Sequence, residues 1–150
     1  MEIRVPYGRS FQAAVIPDHF DIDIIESPEA HPVSDPLGAV HSALENLLGN
    51  VNWADFARAR SVAIAINDKT RPVPHEHLLP PLMERLAALG IPDSAITFYV
   101  AVGTHPPMKP DEFPAILPAE IISRYRVVSH DSENDNLFLY LGKSGRGTPV

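Results

Sequence analysis

Three short apolar runs, separated by segments with helical spacing, constrain the fold of this chain more than any other feature. The first run covers residues 62–66 and is apolar at every position, as expected for a strand buried on both faces of a parallel sheet. Two further strands are predicted at residues 96–102 and 125–129, with a helical region at residues 111–123 between them and a candidate fourth strand at residues 137–141. Strands that alternate with helices are typical of βαβ units. The sequence therefore predicts an α/β fold with a Rossmann-like parallel sheet flanked by helices.

The first crossover helix contains two prolines that constrain where it begins. Apolar residues recur at helical spacing over residues 78–89, and Gly90 marks the end of the helix. Proline inside a helix removes a hydrogen bond and clashes with the preceding turn. We therefore predict that Pro80 and Pro81 lie near the first helical turn, after a turn at residues 73–77.

The N-terminal residues follow a strand pattern. Apolar side chains occur at every second position over residues 3–7 and again over residues 11–15, with a glycine-containing turn between them. This period of two predicts an N-terminal β-hairpin, and a further short strand is predicted at residues 22–25. The chain is thus divided into a hairpin and helix over residues 1–60 and a βαβ core over residues 61–141.

A helix is predicted directly after Asp35. Asp35 is a favourable N-cap, Pro36 is favourable at the first helical position, and Gly49 is placed just past the end. Trp53 and Phe56 are assigned to a short second helix or turn.

Charge and composition exclude several classes of protein. The net charge of −7 disfavours binding to the phosphate backbone of nucleic acids. With no cysteine, the chain has neither disulfides nor a thiolate metal site. No apolar run approaches the roughly 18 residues of a membrane span, and the N-terminus lacks the layout of a signal peptide. We therefore expect a cytoplasmic protein that binds neither nucleic acid nor membrane.

Polar residues follow each of the three predicted strands. Because the carboxyl ends of parallel strands meet at one edge of a sheet, and open sheets bind ligands there, these residues are expected to converge. The set comprises Asp68, Thr70 and Arg71 after the first strand, Gly103, Thr104 and His105 after the second, and His130 and Asp131 after the third.

Each of these groups also has an ordinary structural explanation. Asp68 would either cap the following turn or orient a histidine. Arg71 would either pair with a surface carboxylate or hold an anion with its planar guanidinium. His105 would either bond to backbone within its loop or carry a proton in alcohol chemistry. Turn chemistry at the strand end is the better explanation for His130 and Asp131.

Two other clusters are weaker candidates, and no metal site is predicted. The His-Glu-His sequence at residues 75–77 has a spacing of two, whereas helical metal pairs need three or four, so a solvated loop is the preferred interpretation. Residues 142–148 are rich in glycine and cations but lack the full phosphate-loop pattern. Lys69 is expected to point to solvent.

Taken together, the motifs resemble the N-terminal domain of the nickel-dependent lactate racemase family. The match is carried by Asp-Lys-Thr-Arg-Pro-Val-Pro at residues 68–74 and by Val-Gly-Thr-His at residues 102–105. Val-Pro-Tyr-Gly at residues 5–8 and Asp-Pro-Leu-Gly at residues 35–38 also match, so the resemblance covers essentially the whole chain. Lys69 is a departure, because a histidine is common there in the family.

The resemblance implies a racemase or epimerase of 2-hydroxy acids. In that family a nickel pincer nucleotide, attached to a lysine, takes the α-hydrogen as hydride while a histidine removes the hydroxyl proton, and a 2-keto acid is the intermediate. By position, His105 resembles one of two proton-transfer histidines, with Asp68 as its catalytic neighbour. Arg71 and Thr70 are the implied substrate-binding residues, and Gly103 and Thr104 the implied cofactor-binding residues.

The resemblance also implies that this chain holds only part of a two-domain enzyme. The second catalytic histidine, the nickel ligand and the cofactor-bearing lysine are expected in a segment after Val150, and Lys143 does not match that lysine motif. The isolated chain is accordingly expected to be inactive, with its own C-terminal domain and a small 2-hydroxy acid as partners; formation of a homo-oligomer is left open. One alternative is a noncatalytic α/β module that binds an anionic metabolite or nucleotide, and another is a structural domain that assembles subunits through the hairpin.

Overall fold

The computed structural model describes all 150 residues and divides them into two units, Met1–Pro32 and Val33–Val150. In the first unit, strands β1 (Glu2–Tyr7) and β2 (Ser10–Val15) pair antiparallel around a turn that contains a glycine with positive φ. The predicted N-terminal hairpin is confirmed. The strand predicted at residues 22–25 is wrong, because that segment pairs with no other and forms no regular structure.

The hairpin carries apolar side chains on both of its faces. Residues directly opposite each other share a face, and Val5 lies opposite Gln12 whereas Phe11 lies opposite Pro6. The apolar row of β1 and that of β2 therefore point to opposite sides. Because no residue of either strand is buried, a single covered face does not set the register of this hairpin.

The second unit begins with helix α1 (Pro36–Glu45). The predicted N-cap is confirmed: the carboxylate of Asp35 accepts a hydrogen bond from a backbone N–H of the first turn at 2.9 Å. The helix ends earlier than Gly49, the expected end. Both the backbone N–H and the side-chain amide of Asn46 donate to the carbonyl of Ser42, and this local capping ends the helix there.

A parallel sheet in the order β3–β4–β5 forms the centre of this unit. Its strands are β3 (Val62–Asn67), β4 (Ile96–Ala101) and β5 (Arg126–Ser129), joined by crossovers that contain helices α2 (His75–Ala88) and α3 (Ala119–Arg124). The predicted fold class is confirmed: a mixed α/β fold with a parallel three-stranded sheet, flanking helices and an N-terminal hairpin.

The core lies on one face of this sheet only. Ile96, Phe98 and Val100 of β4 are almost completely buried and belong to one apolar cluster with residues of both crossover helices. On the other face, Ala63 and Tyr99 are exposed. The prediction that the first strand is buried on both faces is therefore wrong, since both helices cover the same side.

Prolines set the boundaries of the crossover helices differently from the prediction. Helix α2 already begins at His75, so Pro80 and Pro81 lie in its second turn. Because proline has no N–H, two backbone carbonyls of the first turn are left without a helical hydrogen bond. The helical region predicted at residues 111–123 consists of a 3₁₀ helix, Pro110–Ala115, and α3, with Pro118 as the N-cap of α3.

Two further segments complete the description. The predicted short helix at Trp53–Phe56 is confirmed as a 3₁₀ helix. Residues 137–141 do not form the predicted fourth strand; only a 3₁₀ turn, Asp135–Leu137, is present there, and the chain then makes a short bridge between Lys143 and Pro149. None of the helices combines the length and apolar character needed to span a membrane.

Candidate functional site

The strand register brings two polar loops together at one edge of the sheet. Asn67, the last residue of β3, is level with Ala101, the last residue of β4. The chain leaves both strands at the same height, so the loop at residues 68–73 emerges beside the loop at residues 102–109. The convergence expected from the sequence is thus present for the first two strands.

Asp68 is the fixed centre of this edge. It is only 6% exposed, and its Oδ1 accepts hydrogen bonds from the backbone N–H of Thr70 at 3.0 Å and from the hydroxyl of Thr70 at 2.6 Å. Its Oδ2 accepts a hydrogen bond from Nδ1 of His105 at 2.6 Å. The Thr70 hydroxyl first, and His105 second, lower the pKa of Asp68 from 3.8 to about 2. The group is therefore a carboxylate at any ordinary pH.

The contact with Asp68 determines which nitrogen of His105 is available. Because a carboxylate only accepts hydrogen bonds, Nδ1 of His105 carries a hydrogen and Nε2 is left with the lone pair in the neutral ring. The side chain is 54% exposed, and it lines an open cleft of about 680 Å³ that Arg71 also lines. This arrangement provides an oriented base with access to solvent and ligands.

The loop that carries His105 is held in place at three points. The backbone N–H of His105 donates to the carbonyl of Val102 at 3.1 Å, which forms a turn around Gly103 with φ of +62°. The backbone N–H of Met108 donates to the hydroxyl of Ser129 at 2.8 Å. The backbone N–H of Lys109 donates to a carboxylate oxygen of Glu112.

Glu112 connects the two loops. One of its carboxylate oxygens accepts a hydrogen bond from the backbone N–H of Lys109 at 2.9 Å, and the other forms an ion pair with Lys69. The hydrogen bond from Lys69, followed by that from Lys109, lowers the pKa of Glu112 below its usual value. Lys69, although exposed, therefore does not simply point to solvent as expected.

Arg71 is the cation of the site whose side chain has no protein partner. Its side chain makes neither a hydrogen bond nor an ion pair, so pairing with Asp68 or with another surface acid does not occur. Its backbone N–H donates to the carbonyl of Asp68 at 3.2 Å, which closes the turn. A free guanidinium beside an oriented histidine is suited to hold the carboxylate of a small acid.

The third strand end contributes less than the first two. Asp131 accepts a hydrogen bond from the backbone of Glu133 at 3.1 Å, which is turn chemistry. The ring of His130 packs edge-on against Phe138, with 5.5 Å between ring centroids. Neither side chain makes a hydrogen bond to Asp68 or His105. Gly103 and Thr104 are exposed beside the turn, and no cluster of three or more potential metal ligands occurs in the 150 residues.

Two residues that support the site, Ser129 and Glu112, were not among those predicted from the sequence. Ser129 ends the third strand, so its position at a strand end could have indicated it. Glu112 lies 43 residues from Lys69, and no local pattern indicates their contact. His75 was assigned to a solvated loop, which is wrong: it begins α2, is 5% exposed, and its Nδ1 lies 2.8 Å from the carbonyl oxygen of Ile116.

Comparisons with known proteins show which family the chain matches. Residues 7–150 match the family model described as the lactate racemase N-terminal domain. The chain is 28% identical over 148 residues to a lactate racemase of Lactiplantibacillus plantarum, an alignment that covers 97% of this chain and 35% of that protein. It is 28% identical over 143 residues to a lactate racemase of Thermoanaerobacterium thermosaccharolyticum, covering 93% of this chain and 33% of the relative.

A solved structure extends the similarity to the fold. The lactate racemase apoprotein from Thermoanaerobacterium thermosaccharolyticum superimposes with a TM-score of 0.79 at 28% identity, over 99% of this chain and 34% of that one. The chain thus spans about a third of the length of the relatives that it matches.

Proposed function

The chain belongs to the lactate racemase family, because it matches the model of that family's N-terminal domain. We therefore propose that it forms the N-terminal part of an enzyme that racemises or epimerises 2-hydroxy acids. One observation carries the proposal. The buried carboxylate of Asp68 holds His105 by a 2.6 Å hydrogen bond, beside the unpaired guanidinium of Arg71. These groups are a proton carrier, its orienting partner and an anion-binding cation.

In the proposed reaction, His105 moves the hydroxyl proton of the substrate. Its Nε2 accepts this proton, so the ring becomes positively charged, and Asp68 stabilises that charge because it is ionised and hydrogen-bonded to Nδ1. Loss of the proton from oxygen and of hydride from carbon converts the 2-hydroxy acid to a 2-keto acid. Returning the proton from His105, with hydride delivered to either face of the ketone, gives either enantiomer.

Arg71 is proposed to bind the substrate carboxylate. Its guanidinium offers paired N–H donors that fit a carboxylate, and no protein acid competes for them. Thr70 supports this role indirectly, because its backbone N–H and hydroxyl are used to hold Asp68. We therefore propose that Thr70 lies beside the substrate and acts by fixing the loop that carries Arg71.

The nickel pincer nucleotide proposed as cofactor would accept the substrate hydride and give it back. Gly103 and Thr104 are proposed to lie against it, which fits their exposure and the open space around the Cα of Gly103. No three potential metal ligands cluster in this chain. We propose that the nickel ligand and the lysine that bears the cofactor come from another segment.

The remaining elements of the proposal concern the whole protein. We propose that residues 1–150 are the N-terminal domain, that a C-terminal domain of the same protein completes the site, and that the enzyme is cytoplasmic. The relatives, each about three times as long as the matched segment, support a further domain. By this proposal the 150-residue chain alone is inactive, and the choice among 2-hydroxy acids depends partly on residues outside it.

The test is chiral analysis of 2-hydroxy acids incubated with the product of the complete gene, loaded with the cofactor. We expect the enzyme to interconvert D- and L-lactate, or the two C2 configurations of a larger 2-hydroxy acid. His105→Ala should abolish turnover while the fold is kept, and the exposed His31→Ala serves as a matched control with unchanged turnover.

Two outcomes would overturn parts of this proposal. If the loaded product of the complete gene racemises no 2-hydroxy acid but still binds them through Arg71, the chain is a noncatalytic binding module. If the isolated 150-residue chain racemises lactate, the proposed dependence on a second domain is wrong.

A further inference from the structure

A second cavity lies next to Arg71 and adjoins the cleft that His105 lines, with which it shares Arg71, Pro72 and Val73. It measures about 340 Å³ and is formed between the loop at residues 68–76 and the segment at residues 114–118. We call it the Ile116 cavity. His105 does not line it, whereas Arg71 lines both this cavity and the cleft. Its volume is at the lower end of the range for small-molecule sites, which is roughly 300–1,000 Å³.

His75 gives this cavity an unusual polar group. The residue is 5% exposed, and its Nδ1 lies 2.8 Å from the carbonyl oxygen of Ile116. Because a carbonyl only accepts, Nδ1 carries the hydrogen and Nε2 bears a lone pair. No protein group donates to Nε2, and because every fully buried side-chain nitrogen and oxygen of the chain has a partner, this atom is accessible from outside. His75 lines the cavity, so a ligand there can donate a hydrogen bond to Nε2 in place of water.

The other polar groups around the cavity define the charge of the ligand. Asp68 is engaged by Thr70 and His105, and Lys69 is paired with Glu112. Glu76 is exposed and makes no ion pair. Arg71 is thus the one cation of the lining without a protein partner, and Nε2 of His75 is an acceptor to which no protein group donates.

The rest of the lining is apolar and comes largely from one segment. Residues 114–118 and the side chains of Pro72 and Val73 contribute hydrocarbon surface. A ligand that matches the whole cavity therefore has a carboxylate for Arg71, a hydroxyl for His75 and a short hydrocarbon body.

We propose that the Ile116 cavity is a second site for a small hydroxy acid, with its carboxylate on Arg71 and its hydroxyl donating to Nε2 of His75. This site goes beyond the proposed function, which needs only the cleft that contains His105. Since one guanidinium borders both spaces, occupation of the Ile116 cavity withdraws Arg71 from the cleft. High concentrations of hydroxy acid should then inhibit an enzyme that contains this domain.

Nuclear magnetic resonance of the histidine rings tests the site directly. The 150-residue chain, labelled with ¹⁵N in histidine, is titrated with L-lactate, D-lactate, propionate and inorganic phosphate. Propionate keeps the carboxylate and carbon skeleton of lactate but lacks its hydroxyl. We expect saturable lactate shifts at Nε2 of His75, read separately from those at His105, and smaller shifts with propionate.

His75→Asn removes Nε2 but keeps a donor for Ile116, because the amide nitrogen of asparagine takes the place of Nδ1 and its oxygen takes the place of Cδ2, short of the Nε2 position. For this variant the titration follows the backbone amides of residues 114–118. We expect lactate affinity in the cavity to fall about fivefold, as for the loss of one hydrogen bond, with propionate affinity unchanged. His77→Asn is the matched control two residues away and should bind both acids as the parent does. A thermal unfolding curve for each variant confirms that the fold is kept.

Three results would overturn the proposal: lactate shifts at His105 but not at His75, equal shifts at His75 with phosphate and lactate, or equal loss of both acids in His75→Asn. Because the titration needs neither cofactor nor turnover, these outcomes leave the racemase proposal standing. Conversely, an inactive full-length protein would not remove a lactate signal at His75.

Discussion

The two loops that form the candidate site are held in place by different means. The loop after β3 is held from within, since Asp68 is buried and both hydrogen bonds to its Oδ1 come from Thr70, two residues away. The loop after β4 has its own turn from His105 to Val102 and a local contact with Glu112, but it is also held by two residues distant in sequence, Asp68 and Ser129. The comparison indicates that the carboxylate is positioned locally, whereas the position of the histidine depends on residues distant in sequence.

The largest expected effect comes from removing the charge that joins the loops. In Asp68→Asn, the side-chain amide can donate to Nδ1 of His105, so the ring hydrogen moves to Nε2 and the base is lost. By analogy with the aspartate of serine protease triads, we expect kcat of the loaded full-length enzyme to fall about a thousandfold or more. Steady-state kinetics measures the loss, and ¹⁵N spectra of the histidine ring report the tautomer.

A control separates this effect from general damage. Asp93 is another paired aspartate of the same unit, hydrogen-bonded to Arg124 and Tyr125. Asp93→Asn should lower stability but leave the tautomer of His105 unchanged. An Asp68→Asn enzyme with near-normal kcat would show that the loops do not cooperate as described.

The next largest effect is expected when the internal hydrogen bonds of the loop after β3 are weakened. Thr70→Val removes the hydroxyl that is the largest cause of the low pKa of Asp68, so this pKa should rise from about 2 toward 3.8. The pKa of Asp68 is lower in the folded protein than in the unfolded chain, so its ionised form stabilises the fold. This stability is present above pH 3.8 and is lost as the pH falls through about 2. Wild type should therefore be more stable than Thr70→Val above pH 4, and this part of the difference should vanish near pH 2. Carboxylate ¹³C titration and urea unfolding at several pH values measure both; a pKa of Asp68 that does not move would remove Thr70 from this role.

A smaller effect tests the outside support of the second loop. Ser129→Ala leaves the backbone N–H of Met108, a buried residue, without its acceptor, which costs about 1–3 kcal/mol. Loosening of the loop should lower kcat several-fold with little change in KM, because Arg71 is untouched. Ser129→Thr keeps the hydroxyl and should restore kcat; equal rates for all three enzymes would show that this hydrogen bond does not position His105.

The smallest effect is expected at the bridge between the loops. Lys69 and Glu112 form a partly exposed ion pair, and such pairs contribute about 0–1 kcal/mol. Lys69→Met should change kcat less than twofold, and added salt should reduce the difference in stability from wild type. Lys109→Met is the control, because the hydrogen bond from Lys109 to Glu112 comes from its backbone and is kept in this variant. A large loss in Lys69→Met would mean that the bridge, rather than Asp68, aligns the two loops.

Local patterns in the sequence predicted the parts of the site that depend on local structure. The apolar runs located β3 and β4, and parallel register made the approach of Asp68 and His105 foreseeable. Contacts with a residue that does not follow a strand end were not predictable, as the pair of Lys69 and Glu112 illustrates. The open face at Ala63 was also missed, because an all-apolar run does not reveal that both crossover helices cover the same side.

The hydrogen bond between Asp68 and His105 has a consequence for how folding can be followed. Its partners are 37 residues apart and meet only when β3 and β4 have paired across their crossover. Such nonlocal parallel pairing is among the slower steps of folding. The resonance of the Nδ1 hydrogen of His105 should therefore appear at its hydrogen-bonded position only when β3 and β4 have paired. Followed during refolding, it would report the time at which these two strands come together.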